Sequence, residues 1–174
     1  MFYFLRKIID FLTFPGVIMH EIAHKEFCAV TGVRVIKVKY LQFRGREAGY
    51  VIHEPAKNFL STFLISTGPI LINSFFCLII AGIAFNMDGG ILDVKKFLLF
   101  WLAFSIGAHS FPSDADAGVV LDYSKRQMIE RMAIFHVLSF PFYFAIKFMN
   151  FLRRFGFDYI YAFFVIYLAF KLVS

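Results

Sequence analysis

The chain has 174 residues, of which 60% are hydrophobic and only 17% are charged, a composition far from that of an average soluble domain. The formal net charge is +6, but the basic residues are spread over loops between apolar segments. This spread favours contact with lipid headgroups and argues against a nucleic-acid partner. Because no linker or repeat divides the chain, we expect one membrane-embedded domain over residues 1–174.

The first predicted membrane crossing covers residues 2–31 and is unusual because it contains polar side chains. Pro15 and Gly16 should bend this helix near its middle. The half that follows the bend carries His20, Glu21 and His24, which are costly in a lipid environment unless they are paired or bound to a metal. The segment is therefore expected to combine a crossing with a functional site.

The segment from Val35 to Pro55 lacks a helical pattern. Apolar residues alternate with lysines around Val38, which is the period of a half-buried strand, and a second apolar run around Val51 follows a turn bracketed by Gly45 and Gly49. The pattern predicts a β-hairpin at the membrane surface. The alternative interpretation is a solvated connector with no further role.

Four more segments are apolar enough to be crossings, which require about 20 residues in a helix. They are Phe59–Phe85, Phe97–Pro112, Met132–Leu152 and Phe155–Ser174. The fold class predicted is therefore an α-helical polytopic membrane protein with about five transmembrane helices, four or six being the alternatives. The lysine and arginine content of the loops favours a cytoplasmic location for the hairpin and for the active-site side.

His20 and His24 are four residues apart, so on a helix they share one face and lie about 6 Å apart along the axis. Both imidazoles can therefore reach one zinc ion. Glu21, directly after the first histidine, is placed to act as a general base on the attacking water without binding the metal. His53, His109 and His136 have no partner at ligand spacing and are interpreted as structural.

A catalytic zinc usually has three protein ligands and one open position, so a further ligand must come from elsewhere in the chain. Glu26 is a poor candidate, because it lies two residues past His24 and about 200° around the helix from it. Asp114 and Asp116 follow the third predicted crossing directly. If the crossings alternate, the ends of the first and third helices emerge on the same side, which brings these carboxylates toward the histidines.

The chain resembles the site-2 protease family of intramembrane zinc metalloproteases in three motifs. These are His20-Glu21-x-x-His24, Gly68-Pro69 with Asn73, and Phe111-Pro112-Ser113-Asp114, which resemble the family's metal motif, its Gly-Pro-x-x-Asn pattern and its Pro-x-Asp-Gly turn. Two positions depart from the family: Asn73 stands one residue late, and Ala115 replaces the glycine. The resemblance covers residues 10–120 or so, and helices over about 132–174 would be additions to a minimal member without an accessory soluble domain.

The resemblance implies a zinc metalloendopeptidase that hydrolyses peptide bonds in or near transmembrane segments of membrane protein substrates. It implies one zinc ion per chain on His20, His24 and Asp114, with Glu21 as the catalytic residue. Asp114 is selected because it stands two residues after Pro112, as the ligand does in the family turn. Asp116 is then an alternative ligand or a hydrogen-bond partner of a ligand.

A helical peptide bond is shielded by its own hydrogen bonds, so a substrate must unwind locally before it can be cleaved. An extended segment in lipid needs new backbone partners, which the strands around Val38 and Val51 could supply by strand addition. Asn73 is a second candidate for substrate contact, although a polar residue in such a helix can also simply link helices.

A different class of function is a metal-binding membrane protein without hydrolase activity, either a transporter or a pseudoprotease. Neither needs a base beside the first ligand, and a transporter should carry ionisable residues in several helices. Glu21 is present, however, and residues 59–85 contain no ionisable side chain. Both features favour the protease, and the sequence leaves the substrate and the oligomeric state open.

Overall fold

A computed structural model describes residues 2–42, 47–90, 93–129 and 133–174, with side chains described outside residues 2–5 and 127–138. Within these ranges the chain forms seven helices and one two-stranded antiparallel sheet. In chain order the elements are α1 Phe2–Leu12, α2 Phe14–Val30, β1 Val35–Lys39, β2 Tyr50–His53, α3 Phe59–Asn86, α4 Val94–Ala108, α5 Asp114–Ile129, α6 Ala133–Arg153 and α7 Phe157–Val173. The mostly helical architecture with a small hairpin is confirmed.

The first predicted helix is divided where the sequence indicated a bend. α1 ends one residue before Thr13, whose hydroxyl donates to the Ile9 carbonyl at 2.7 Å. Pro15 then lies in the first turn of α2, where its missing N–H costs no helical hydrogen bond and its fixed φ suits a helix. The segment that carries the histidines is therefore a separate helix with its own start.

The hairpin is present as predicted. β1 and β2 pair antiparallel with Val38 opposite Val51, and an irregularity between Val35 and Lys37 leaves Ile36 outside the register. Gly45, which was expected to help form the turn, lies outside the described residues. Both strands contact α2, so the hairpin lies directly against the helix that carries the histidines.

Small residues allow the central helices to approach closely. A Cβ on Gly16 would collide with the backbone carbonyl of Ser105, so α2 and α4 are in backbone contact there. A Cβ on Gly68 would overlap the ring of Phe27, which brings α2 equally close to α3. These two contacts fix the position of α2 between α3 and α4.

The prediction of about five crossings is only partly supported. Among the described residues, α3 alone is long and apolar enough to cross a membrane, and the pair α6 and α7, bent by 94°, would add a second span if it were one broken crossing. α4 has 15 residues, fewer than the roughly 20 that an upright span requires. The segment between the predicted crossings Phe97–Pro112 and Met132–Leu152 was expected to be a connecting loop, but residues 114–129 of it form helix α5.

Candidate metal centre

His20 is oriented through a hydrogen bond to the end of a neighbouring helix. Its Nδ1 lies 2.7 Å from the backbone oxygen of His109, the residue that follows α4. A carbonyl oxygen only accepts hydrogen bonds, so Nδ1 must be the protonated nitrogen. In the neutral ring the lone pair is then on Nε2, which is the atom that faces the site.

His24 is oriented in the same way by α3. Its Nδ1 lies 2.7 Å from the backbone oxygen of Ile65, so this ring also presents an Nε2 lone pair. The two Nε2 atoms are 3.1 Å apart and the rings meet edge to face. Carbonyl hydrogen bonds of this kind are the usual way in which proteins orient metal-binding histidines.

Asp116 is the carboxylate that reaches the histidines. Its Oδ1 lies 3.2 Å from His24 Nε2, and its Oδ2 lies 3.9 Å from His20 Nε2. The Oδ2 atom also accepts hydrogen bonds from the backbone N–H and the hydroxyl of Ser113, at 2.5 and 2.8 Å, and the Asp116 N–H approaches the Ser113 hydroxyl oxygen at 3.3 Å. This is a capping box at the start of α5, and it holds the carboxylate in place.

The sequence preference for Asp114 as the third member of the group is corrected by this geometry. Asp114 is the first residue of α5, and although it also lines the cavity its carboxylate accepts a hydrogen bond from Lys147 Nζ at 2.8 Å. The side chain of Asp114 is 49% exposed, whereas that of Asp116 is 13% exposed. Two residues along a helix rotate the side chain by about 200°, so only one of the two aspartates can face α2.

The three groups have the spacing of metal ligands. His20, His24 and Asp116 each offer one ligand atom, and these atoms lie within 4.8 Å of one another. Zinc ligands at roughly 2.0–2.2 Å in tetrahedral geometry are separated from one another by about 3.3–3.5 Å. This range lies between the 3.1 Å that separates the two Nε2 atoms and the 3.9 Å from His20 Nε2 to Asp116 Oδ2. The lone pairs of His20 Nε2, His24 Nε2 and the Asp116 carboxylate face one point, which suits a dication. A single proton on His24 Nε2 would instead have to be shared between His20 Nε2 and Asp116 Oδ1. The residues present fit a zinc ion.

The charge state of Asp116 is consistent with this role. Burial by itself raises the pKa of its carboxyl, but in the absence of a cation a proton on His24 lowers it through its charge and its hydrogen bond, and His20 and the Ser113 N–H lower it further. The pKa of Asp116 therefore lies below its ordinary value. The group is an ionised acceptor, which is the form that binds a cation.

Glu21 lies beside the group in a cavity of about 420 Å³. The same cavity is lined by His20, His24, Asp116 and part of the hairpin. Glu21 itself is 7% exposed, and a Cβ added to Gly49 would meet its Cγ at 2.7 Å and its Oε1 at 2.9 Å. The hairpin therefore packs directly on the side chain that the sequence assigned to catalysis.

The predicted substrate contacts are divided between two locations. Val51, on β2, lines the cavity, while Val38 lies opposite it on β1 and does not. Asn73 is fully buried and donates from Nδ2 to the backbone oxygens of His109 at 2.9 Å and Ile106 at 3.3 Å. These bonds join α3 to the end of α4, as the alternative that Asn73 links helices requires.

Sequence reasoning missed the contributions of His109 and Ile65, because each acts through a backbone oxygen that any residue would supply. Asp116 had a detectable signal that was not used. Ser113 and Asp116 have the spacing of a capping box. This motif predicts that a helix starts after Ser113 and that the carboxylate of Asp116 turns back toward the backbone N–H of Ser113.

Comparison with known proteins gives no assignment for this site. The chain matched no protein-family model, no curated protein and no solved structure at a significant level.

Proposed function

We propose that the chain is an intramembrane zinc metalloprotease that hydrolyses peptide bonds in or near the transmembrane segments of membrane proteins. The observation that carries the proposal is the convergence of His20 Nε2, His24 Nε2 and the Asp116 carboxylate on one point, with Glu21 in the same cavity. The proposal retains the function inferred from the sequence and replaces Asp114 by Asp116 as the third ligand.

Membrane embedding is supported by α3 and by an unusually apolar surface. Large apolar side chains that are more than half exposed occur on six of the described helices. They include Leu71, Phe75, Phe97, Leu98, Phe144, Phe148, Phe163 and Phe164. Soluble proteins rarely expose contiguous apolar areas of this kind, so we propose a multi-pass arrangement in which these faces contact lipid. The cytoplasmic orientation of the hairpin belongs to the same proposal.

The chemistry proposed for the site divides between metal binding and proton transfer. His20, His24 and Asp116 would hold a zinc ion, which when bound would supply a Lewis acid for the scissile carbonyl and would lower the pKa of a water molecule. Glu21 accepts the proton of the attacking water and delivers it to the leaving nitrogen, because it is near the ligands without belonging to them. His20, His24 and Asp116 hold the ion, and their fixed positions spare the site any rearrangement during turnover.

Strand addition is the proposed mode of substrate binding. β1 already pairs with one edge of β2, and β2 contributes Tyr50, Val51 and His53 to the lining of the cavity. In a two-stranded sheet each strand has one free edge with alternate N–H and C=O groups available. An unwound substrate segment paired with β2 would have its backbone groups satisfied beside Glu21 and the metal ligands.

A metal-binding protein without hydrolase activity is the alternative function. Such a protein would use the same three ligands but would not need a buried carboxylate beside them. Glu21 is buried in the cavity, and α3 carries no ionisable residue that would mark an ion pathway. Both observations favour the protease.

The proposed function is tested with purified protein in detergent. We expect about one zinc ion per chain by elemental analysis, and cleavage of some members of a panel of single-span membrane proteins. His20→Ala and His24→Ala should each lose most of the zinc and all cleavage, since two ligands hold the ion poorly. His53→Ala is a matched control for zinc content, because His53 lines the cavity but directs its Nδ1 to the neighbouring Glu54 carbonyl at 2.7 Å. Full zinc occupancy in either ligand variant would refute the proposed site.

The role of the hairpin is tested by proline substitution. Val51→Pro and Val38→Pro each remove a backbone donor and should disrupt the pairing of β1 with β2. We expect turnover of membrane substrates to fall by at least about tenfold, while zinc stays near one per chain, because strand pairing contributes no ligand. Zinc content and cleavage rate are measured on the same preparations.

Ile36→Pro is the matched control for the hairpin variants. Ile36 is 64% exposed and lies at the irregularity in the β1 register, a type of position where proline is tolerated. This variant should cleave at the parental rate. Parental turnover in both Val38→Pro and Val51→Pro would show that the hairpin is only a connector.

A further inference from the structure

α3 contains a proline in its interior, at a position that the proposed chemistry does not use. Pro69 is fully buried and lies in the eleventh position of a 28-residue helix. Proline has no backbone N–H, so the carbonyl four residues earlier loses its helical hydrogen bond, and the ring pushes against that same carbonyl. The carbonyl in question belongs to Ile65.

The carbonyl left open by Pro69 is the one that orients His24. The distance from His24 Nδ1 to the Ile65 oxygen is 2.7 Å, and both groups are buried. In an uninterrupted helix this oxygen would point along the axis at the N–H of residue 69. A side chain approaching from a neighbouring helix would then have to share it.

A comparison with His20 shows why the acceptor of His24 requires a proline in α3. The acceptor for His20 is the backbone oxygen of His109, just beyond the last residue of α4, where helix geometry leaves carbonyls without helical partners. The acceptor for His24 is instead the oxygen of Ile65, the seventh residue of α3, where carbonyls normally accept from the N–H groups of their own helix. A proline is the residue that creates an open carbonyl inside a helix.

The approach of α2 to α3 supports the same reading. Gly68 directly precedes Pro69, and Phe27 of α2 occupies the space that a side chain at position 68 would fill. Phe27 is three residues after His24, so this contact is on the adjacent turn of α2. Gly68 thus lets α2 come close enough for His24 to reach the carbonyl that Pro69 has opened.

We propose that Pro69 is a positioning residue of the metal centre. By leaving the Ile65 oxygen without its helical donor, it reserves that oxygen for His24 Nδ1–H and so fixes the tautomer that offers Nε2 to the metal. The metal-binding part of this inference rests on the proposed function, whereas the hydrogen bond itself does not.

The test restores the missing N–H. Pro69→Ala gives residue 69 a donor that competes with His24 for the Ile65 oxygen, and alanine favours helix, so the fold should be retained. We expect zinc affinity, measured by competition with a chelator, to fall by roughly 10- to 100-fold, the usual effect of losing a group that orients a ligand. The ¹⁵N and ¹H chemical shifts of His24 in the metal-free protein should show a loss of its Nδ1–H hydrogen bond.

Two further variants separate the N–H from the shape of the ring. Replacing Pro69 by lactic acid through nonsense suppression introduces the methyl group of alanine without an N–H, and this variant should keep nearly parental zinc affinity. Pro141→Ala, at the proline inside α6, is the matched control for removal of a helix proline from a helix that supplies none of the metal ligands and should also bind zinc as the parent does.

Parental zinc affinity and an unchanged His24 spectrum in Pro69→Ala would overturn the inference. Equal losses in the alanine and lactic acid variants would also overturn it, because the ring rather than the absent N–H would then be responsible. If the parental protein bound no zinc, the proposed function would fail. The His24 spectrum of the metal-free protein would still decide whether Pro69 controls its Nδ1.

Discussion

Replacing Glu21 by glutamine is expected to abolish proteolysis while leaving zinc bound. Gln has nearly the same size and fits the same buried space against Gly49, but it cannot accept a proton from water. General base catalysis typically contributes about 10²–10⁴-fold, so turnover should fall by at least 100-fold. Cleavage of a single-span substrate and zinc content are measured on the same purified sample.

Glu26→Gln is the matched control for this substitution. Glu26 is on the same helix, makes the same charge change and is exposed, outside the lining of the cavity. It should cleave at the parental rate. Cleavage at the parental rate by Glu21→Gln would contradict the proposed role of Glu21 as general base. Loss of zinc from that variant would mean that Glu21 is a metal ligand and not a base.

Replacing Asp116 by asparagine is expected to remove both zinc and activity. The amide keeps an oxygen that can accept the Ser113 hydrogen bonds, so the start of α5 should remain capped. It loses the negative charge that binds a cation. Because Asp116 faces the metal position directly, the fall in zinc affinity should exceed the roughly 100-fold upper range seen when only an orienting partner is lost.

Asp114→Asn tests the competing assignment with the same chemical change two residues away. The carboxylate of Asp114 contacts Lys147 at the surface, and exposed ion pairs of this kind contribute little because water screens them. Zinc content and cleavage should therefore remain close to parental. The opposite pattern, with zinc lost from Asp114→Asn and kept by Asp116→Asn, would restore the assignment that the sequence alone favoured.

The parts of the fold and site that could be predicted from sequence are those with a local periodic signal. The hairpin followed from alternation around Val38 and Val51, and the bend in the first segment followed from Pro15. The placement of His20 and His24 on one face followed from helix geometry. None of these predictions required knowledge of how distant segments pack.

The third ligand could not be predicted reliably, because it depends on where α5 begins. Asp114 was preferred because it stands two residues after Pro112, as the ligand does in the family turn, without any expectation that a helix starts at this residue. Once residue 114 is the first residue of a helix, the direction of each side chain is fixed by helical rotation, and Asp116 is the one that turns back. An error in secondary structure thus became an error in the site.

The predicted number of crossings is supported only in part by the described helices, because apolar runs were counted as spans. An apolar run also describes a short helix that packs against others. α4 combines both features, since Ala103, Ile106 and Ala108 are buried among neighbouring helices while Phe97 and Leu98 are more than half exposed. Hydropathy along the sequence does not distinguish contact with lipid from contact with protein.

The backbone contact between Gly16 and Ser105 has a consequence for how this protein tolerates sequence change. Because α2 and α4 are in main-chain contact at Gly16, the distance between His20 and the His109 carbonyl depends on the absence of a side chain at position 16. The outward-facing apolar residues can then be exchanged for other apolar residues without moving the ligands. Variation among natural or engineered forms should concentrate on that outer layer, while position 16 accepts only glycine.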